Sequence, residues 1–316
     1  MFDPSFSPAA PLARRTRCPG CGHGIARTLH REPLDSPGIR RYMHAHYEDR
    51  VARDFAGYVY ELAECEHCSL AYQAEVPTPA LLEEIYDQWL PATERAAVVA
   101  RWGLDDYRYL AGQVEFVLEH VGRRPDTIRA LDFGFGWAEW ARMAGAYGVD
   151  VCGAELSQVR IDYAAAHGIP MIDADRLPDG EFNFINTEQV FEHLLEPGQV
   201  LRRLGRALRP GGLLKLSVPD AARAIRKLAA SGDFSRLGDG DIMPIAPFEH
   251  INAFTHASLT ALGREAGLAP VRPSLRKLYN SSAGWLAPRS FLKNLARPIY
   301  RHVWPKSTFV YFARPA

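Results

Sequence analysis

From residue 128 onward the sequence alternates short apolar runs with amphipathic ones, and this alternation constrains the fold more than any other feature. The stretches "IRALDF" (128–133), "DVCGAE" (150–155), "FNFINT" (182–187) and "GLLKLSV" (212–218) read as strands, with "IPMID" (169–173) a short extended piece. Helical patterns fall between them at 137–147, near 157–167, and from Pro197, where Val200, Leu201, Leu204 and Leu208 share one face. Strands alternating with helices need right-handed crossovers. The expectation is an α/β fold: a Rossmann-like doubly wound sheet, mostly parallel, with helices on both faces. Two late strand-like segments, 268–275 and 307–314, complete it, the last strand antiparallel. Between them and the earlier strands, a helix opens at Thr255 as N-cap and stops at Gly267.

In such a sheet ligands bind beyond the carboxyl ends of the strands, and the first turn there is "LDFGFGWAEW" (131–140). Gly134 and Gly136 let backbone come close to a ligand. The dinucleotide fingerprint wants a third glycine where this chain has Glu139, which would crowd the helix and set a carboxylate near a pyrophosphate. A nicotinamide enzyme is therefore disfavoured. Glu155, ending the second strand, can accept hydrogen bonds from ribose hydroxyls, and Asp132 can meet an ammonium group. An adenosine joined to a zwitterionic tail, as in S-adenosylmethionine (SAM), suits both acids.

Six fragments in register, "LDFGFGWAEWARMA", "CGAELS", "IDADRLPDGEFNFI", "FEH", "LGRALRPGGLLKLSVPD" and "HINAFT", together resemble class I SAM-dependent methyltransferases over roughly 128–267, with Methyltransf_23-type enzymes the nearest subgroup. The resemblance implies that Asp132, Gly134 and Gly136 cradle the methionine moiety and that Glu155 holds the ribose, with Phe133 and Leu156 also among the cofactor-binding residues. It also implies that Asp173 and the backbone of Ala174 meet the adenine edge, while Thr187 and Glu188 pass beneath the methionine end. Two positions depart from the family pattern. Ala138 stands where a further glycine is common, a tolerable change in a helix's first turn, and Asn183 replaces an Asp.

Methyl transfer from a sulfonium is an in-line displacement that needs alignment and, for many acceptors, a base. His193 in "VFEHLLEP", with Glu192 beside it as orienter, is the first candidate base, and His250 in "FEHINAFT" the second. Each can instead serve only to organise its loop.

Four of the five cysteines form two Cys-x-x-Cys pairs, Cys18 with Cys21 and Cys65 with Cys68. That spacing suits a zinc-ribbon-like four-cysteine site, in which the thiolates close the shell around zinc (or iron) and leave a structural centre. His23 and His67 are adjacent alternatives, and Cys152 reads as a small core residue. Residues 22–64 exceed the usual insert, so that segment must fold back on itself. A ribbon ahead of a methyltransferase domain resembles sugar C-methyltransferases and polysaccharide methyltransferases, which brings Tyr86 forward as a substrate-side residue, with Ser69 replacing their glycine.

The expected organisation is a disordered lead (1–17), the cysteine module (18–76), a helical linker or cap (77–124), and a methyltransferase domain (125–316) with substrate-side insertions at 219–254 and 276–306. In the cap, Leu104, Tyr107, Leu110, Ala111, Val114, Val117, Leu118 and Val121 mark one helix face closed by Gly122. Lys+Arg and Asp+Glu both number 37, so no global field favours nucleic acid, although Arg14, Arg15 and Arg17 precede the cysteines. No acid follows Glu265, whereas nine Lys and Arg do. That tail, with Trp285, Phe291 and Trp304 among its cations, suits an anionic substrate or peripheral membrane contact through 285–306, or else a helix packed with its charged face in water. There is no apolar leader and no spanning run, which reads as cytoplasmic. The expected activity is methyl transfer to a small polar acceptor, a sugar or glycan-linked intermediate. The alternative is a zinc-ribbon binding protein with a catalytically silent methyltransferase-like domain.

Overall fold

The computed structural model of the chain describes residues 10–48, 51, 54–89, 101–273, 292, 295–296 and 307–315. In chain order its strands are β1 (Leu12–Arg14), β2 (Ala26–Pro33), β3 (Val59–Cys65), β4 (Ala71–Gln73), β5 (Glu75–Pro77), β6 (Arg129–Phe133), β7 (Asp150–Ala154), β8 (Phe182–Glu188), β9 (Leu208–Pro219), β10 (Asn252–Ala253), β11 (Ala269–Val271) and β12 (Ser307–Ala313). The described residues form two compact units, each assembled from separate stretches of chain. One draws on 1–95, 191–200 and 219–265, the other on 96–190, 201–218 and 266–316.

The second unit holds the expected sheet, in the order β11-β12-β9-β8-β6-β7. Strands β7, β6, β8 and β9 are parallel neighbours, and β12 pairs antiparallel with β11. The "IPMID" segment contributes one parallel bridge, Gly153 with Met171. The chain runs from β6 outward to β7 on one side and back to β8 on the other, so β6 and β8 flank the point where strand order reverses. That is where open α/β sheets bind ligands. Helix Leu104–Val121 covers the sheet with Leu110, Val114, Phe116 and Val117, which join Ile128, Ala130, Trp140, Phe184 and Tyr311 in one core. Gly122 caps it in the left-handed conformation at φ 64°, as its sequence demands. Leu104 and Tyr107, on the expected apolar face, are exposed.

The first unit is a four-stranded antiparallel sheet, β10-β4-β3-β2, plus the pair β1–β5. The long insert between the cysteine pairs folds back on itself. β2 and β3 pair from Ala26↔Cys65 to Pro33↔Val59, with helix Pro37–Tyr47 between them. Its N-cap Ser36 accepts the Ile39 N–H, and Ile39, Tyr42, Met43 and Tyr47 turn into a core with Tyr60, Trp89, Phe234 and Phe248.

Two expected boundaries move. Residues 12–14 of the expected disordered lead are strand β1, paired with 75–77, and Arg15 is buried. The alternation Leu12-Ala13-Arg14 is too short to register as a strand until its partner is known. The stretches 191–200 and 219–265, read as parts of the methyltransferase domain, fold with the cysteine unit, because β10 pairs with β4, Ala221, Phe234 and Phe248 enter its core, and Asn252 of β10 bonds the Phe191 and Leu194 carbonyls. Tyr86's side chain and the cationic 276–306, apart from 292, 295 and 296, lie outside the described residues. No helix among the described residues is long and apolar enough to cross a membrane.

Candidate active site

Asp132 is the next-to-last residue of β6, 2% exposed, in register with Asn186 on β8. Asn186 Nδ2 donates to Asp132 Oδ1 at 2.9 Å, and the Ala141 N–H donates to Oδ2 at 3.1 Å. Burial nonetheless pushes this carboxyl up to about 7; the Asn186 and Ala141 bonds oppose the rise, and the nearby Glu188 and Glu139 add to it. A nearby positive charge would favour its ionised form. Around it, Asn186 Oδ1 and Thr187 Oγ1 are buried with no hydrogen-bond partner among the described residues. Orphaned acceptors at the carboxyl end of a parallel sheet mark a place where a ligand completes the bonding.

The turn after β6 is built on bare backbone. Gly134 sits at φ 71°, and a Cβ there would stand 2.4 Å from Val190 Cγ2, so no side chain fits. Gly136, at φ 59°, donates its N–H to Glu155 Oε2 at 3.1 Å. Glu155 Oε1 takes the Leu156 and Ser157 N–H groups at 2.9 and 3.1 Å. Three of the roughly four lone-pair positions of this carboxylate are thus filled by main chain. It shapes the turn as well as offering an oxygen to a hydroxyl. Leu156 beside it is 91% exposed. Asp173 follows the Gly153–Met171 bridge on the β7 side, exposed, accepting the Asp175 N–H at 2.8 Å. Ala138 corrects an expectation. It is the left-handed N-cap of helix Glu139–Ala146, at φ 56°, not a first-turn residue, so its methyl group is carried in a conformation that favours glycine.

Sequence reading missed the network behind Glu188. Lys215 Nζ, buried in β9, donates to Glu188 Oε2 at 2.8 Å and to Gln113 Oε1 at 2.5 Å, and Tyr109 Oη donates to Glu188 Oε1 at 3.1 Å. Burial works against the Glu188 charge, but Lys215 overcomes it and holds the carboxyl below its ordinary range. The signal was visible: a lysine in the middle of "GLLKLSV" cannot be buried without an anion.

The cysteine unit contains the candidate bases. His193 ends the short turn Phe191–His193; its Nδ1–H donates to the Glu249 carbonyl at 3.0 Å, which leaves Nε2 as the acceptor nitrogen. Glu192 Oε1 lies 3.9 Å from that Nε2, and the carboxyl is 1% exposed. The His193 and His250 rings meet edge-on at 4.9 Å and 70°. Burial first, and the neighbouring His193 second, bring the His250 value down to about 3, so His250 is a neutral imidazole. Its Nδ1 is buried with no hydrogen-bond partner among the described residues. Ligand atoms of Glu192, His193 and His250 all lie within 4.8 Å of one another. Glu249, also missed, accepts Tyr47 Oη at 2.6 Å and pairs with His46 Nε2 at 2.9 Å.

The four cysteines converge. Cys18 and Cys68 sulfurs are 3.6 Å apart, as are Cys21 and Cys65, and all four lie within 4.8 Å. These separations are far beyond a covalent S–S bond of about 2.05 Å. They are close to the ~3.8 Å tetrahedral edge that a zinc–sulfur distance of about 2.3 Å requires. The two pairs build the same turn twice. Gly22 and Ser69 donate N–H to Cys18 and Cys65 carbonyls, and Cys18 and Cys65 donate to His23 and Leu70 carbonyls. Gly22 and Ser69 are both left-handed, at φ 80° and 56°. The bond from Cys68 favours ionisation of Cys18 and raises Cys68 itself, while burial raises Cys21. A bound cation would release the remaining protons. Cys152 is buried in β7, as expected of a core residue.

Comparison with known proteins agrees with the fold. The methyltransferase-domain family Methyltransf_23 matches residues 104–272, more than half the chain. The ubiquinone biosynthesis O-methyltransferase of Bordetella avium is 23% identical over 174 residues, covering 50% of this chain and 68% of that protein. Its Caulobacter counterpart is 31% identical over 105 residues, covering 29% of this chain and 42% of that protein. The plantazolicin methyltransferase BamL, solved with a triazolic analog and S-adenosylhomocysteine (SAH), shares the fold at a TM-score of 0.51 and 11% identity, covering 74% of this chain and 94% of BamL. With its Rossmann-like sheet, its glycine turn and this match, the chain belongs to the Methyltransf_23 family of SAM-dependent methyltransferase domains.

Proposed function

We propose that the protein transfers a methyl group from SAM to a small polar acceptor, a sugar or glycan-linked intermediate, with His193 taking the acceptor's proton. The observation that carries the donor half is the buried Asp132 carboxyl, held at about 7 beside two unpartnered acceptors. SAM, when bound, supplies a methyl group on a positively charged sulfur. Asp132, ionised and oriented by Asn186, would hold the ammonium end; Gly134 makes way for Val190, and the bare backbone at Gly136, where a Cβ would have nothing nearer than Glu139 Oε2 at 3.9 Å, would let the tail approach. Glu155 would offer its remaining lone pair to the ribose, with the exposed Leu156 beside it, and Asp173 and Ala174 would meet the adenine edge.

On the acceptor side, the Glu249 carbonyl fixes the His193 tautomer, so Nε2 is the proton-accepting atom. Glu192 stabilises the imidazolium once the proton has arrived, and His250, kept neutral by burial, packs edge-on against the His193 ring. The four cysteines hold zinc in a closed shell that supports the fold and takes no part in chemistry. Support for a sugar acceptor comes from the cysteine pairs ahead of the methyltransferase domain, and the cationic stretch beyond Glu265 suits a phosphorylated carrier. The names of the relatives favour an oxygen nucleophile over carbon or nitrogen.

Calorimetry with SAH and NADH, followed by transfer of labelled methyl from SAM to nucleotide sugars and to phenols, tests this reading. SAH binding and label on a nucleotide sugar are expected. Binding of NADH without SAH would overturn the donor site, and label on phenols alone would replace the acceptor.

A further inference from the structure

His193 and His250 sit on stretches far apart in sequence, and one buried cation joins them. Arg15 is 7% exposed and spends its guanidinium on backbone carbonyls and one side-chain amide. Nη1 donates to the Ile251 carbonyl at 3.0 Å, to Asn252 Oδ1 at 3.1 Å and to the Gln73 carbonyl at 3.4 Å. Nη2 donates to the Leu195 and Leu194 carbonyls at 2.9 and 3.5 Å. Asn252 closes the circuit, its Nδ2 donating to the Leu194 and Phe191 carbonyls at 2.7 and 3.0 Å. The carbonyls of Phe191 and Leu194 bracket Glu192 and His193, and Ile251 directly follows His250.

We propose that Arg15 and Asn252 are positioning residues that pin the Glu249–Asn252 stretch against the Phe191–Leu195 turn, so that the Glu249 carbonyl stays on His193 Nδ1 and the spacing of the His193–His250 pair is kept, and that they thereby harness the cysteine module to proton transfer. A planar guanidinium with five fixed donors imposes one geometry on the groups it bonds, which a flexible ammonium does not. Burial lowers Arg15 to about 10, with Glu196 opposing the fall, so it keeps its charge at neutral pH. Asn252 accepts from Arg15 through one atom and donates twice through the other, which leaves its amide a single orientation.

The clamp is anchored on the cysteine side. Arg15 donates its N–H to the Ala74 carbonyl at 2.8 Å, and three residues later the chain reaches Cys18. The Gly198 N–H donates to the Pro19 carbonyl at 3.2 Å, and a Cβ at Gly198 would stand 1.8 Å from the Gly20 carbonyl oxygen. The first cysteine turn and the His193 stretch therefore abut as bare backbone. A shift of Arg15 moves Leu194 and Ile251 together, and with them the two imidazoles.

The proposal rests on the reading of His193 as the base, and its test has a readout independent of turnover. In the full-length, metal-loaded protein labelled with ¹⁵N-histidine, His193 is expected as the single Nδ1–H tautomer. Arg15→Lys keeps the charge and loses the fork; Asn252→Asp keeps the acceptor and turns oxygens against the Phe191 and Leu194 carbonyls. Both are expected to give mixed His193 tautomers and a displaced pH–rate profile. Turnover should fall about tenfold or more, within the range a positioned base supplies, with SAH affinity kept within about twofold. Unaltered imidazole spectra in a folded variant overturn the proposal, as does SAH affinity falling in step with turnover. If Arg15→Lys does not fold, Asn252→Asp decides. Should the wild-type protein transfer no methyl group, the spectra still judge the clamp while the function falls separately.

Discussion

Measuring SAH affinity between pH 6 and pH 8 tests the role given to Asp132. Burial holds this carboxyl at about 7 in the ligand-free protein, against the bonds from Asn186 and Ala141 that favour its charge. An ammonium group binds the ionised form, so below neutrality binding must first expel a proton. With a free value near 7, roughly nine-tenths of the carboxyls are protonated at pH 6 and roughly one-tenth at pH 8. The dissociation constant should therefore weaken about tenfold from pH 8 to pH 6, close to 1.4 kcal/mol. Calorimetry in buffers of different ionisation enthalpy should register nearly one proton released per SAH at pH 6 and almost none at pH 8. Asp132→Asn should bind weakly and with little pH dependence. The same raised carboxyl means that the ligand-free fold holds a proton the unfolded chain has lost between about pH 4 and pH 7. Its contribution to stability is fully present at the acid end and is lost as pH rises through 7, and SAH should offset that loss. An affinity flat from pH 6 to pH 8, with no proton released, would refute the placement of an ammonium at Asp132.

Four further outcomes are expected. Glu155→Ala should weaken SAH by about 1–3 kcal/mol, the scale of lost charged hydrogen bonds, and unchanged affinity by calorimetry would remove it from the ribose. His193→Ala should leave SAH affinity intact while lowering turnover by roughly 10²–10⁴-fold; full activity across pH would discard it as base. Ser69→Gly relieves an exposed left-handed residue and should stabilise the metal-loaded protein by about 1 kcal/mol in denaturant unfolding. Elemental analysis should find one zinc per chain, lost in Cys65→Ser; a second ion that survives that change would sit on Glu192, His193 and His250 and take His193 out of its role as base.

Much of the sheet was legible because parallel strands buried on both faces are mostly apolar, and Ile128, Ala130 and Leu131 in "IRALDF" and Phe182, Phe184 and Ile185 in "FNFINT" mark them as such. Gly134 and Gly136 were legible for the same kind of reason: their backbone angles exclude most side chains. The cysteine pairs announced their convergence by spacing alone. Arg15 did not, because an arginine beside Arg14 and Arg17 looks like solvated charge until the carbonyls that bury it arrive from residues 194, 195 and 251. The allegiance of 191–200 and 219–265 was hidden for a related reason. The strand that claims them, β10, is two residues long, and its partner β4 lies some 180 positions earlier in the chain. Ala138 was misread because its strain depends on one dihedral angle that no local pattern encodes.

The interleaving of the two units has a practical consequence for cutting the gene. A fragment spanning only the family match, 104–272, would keep both imidazoles yet strip β10 of its edge partner and Asn252 of its guanidinium. Trimming to the homologous core would thus discard the framework its reactive loops are pinned to, and any minimal version of this protein has to begin ahead of Leu12.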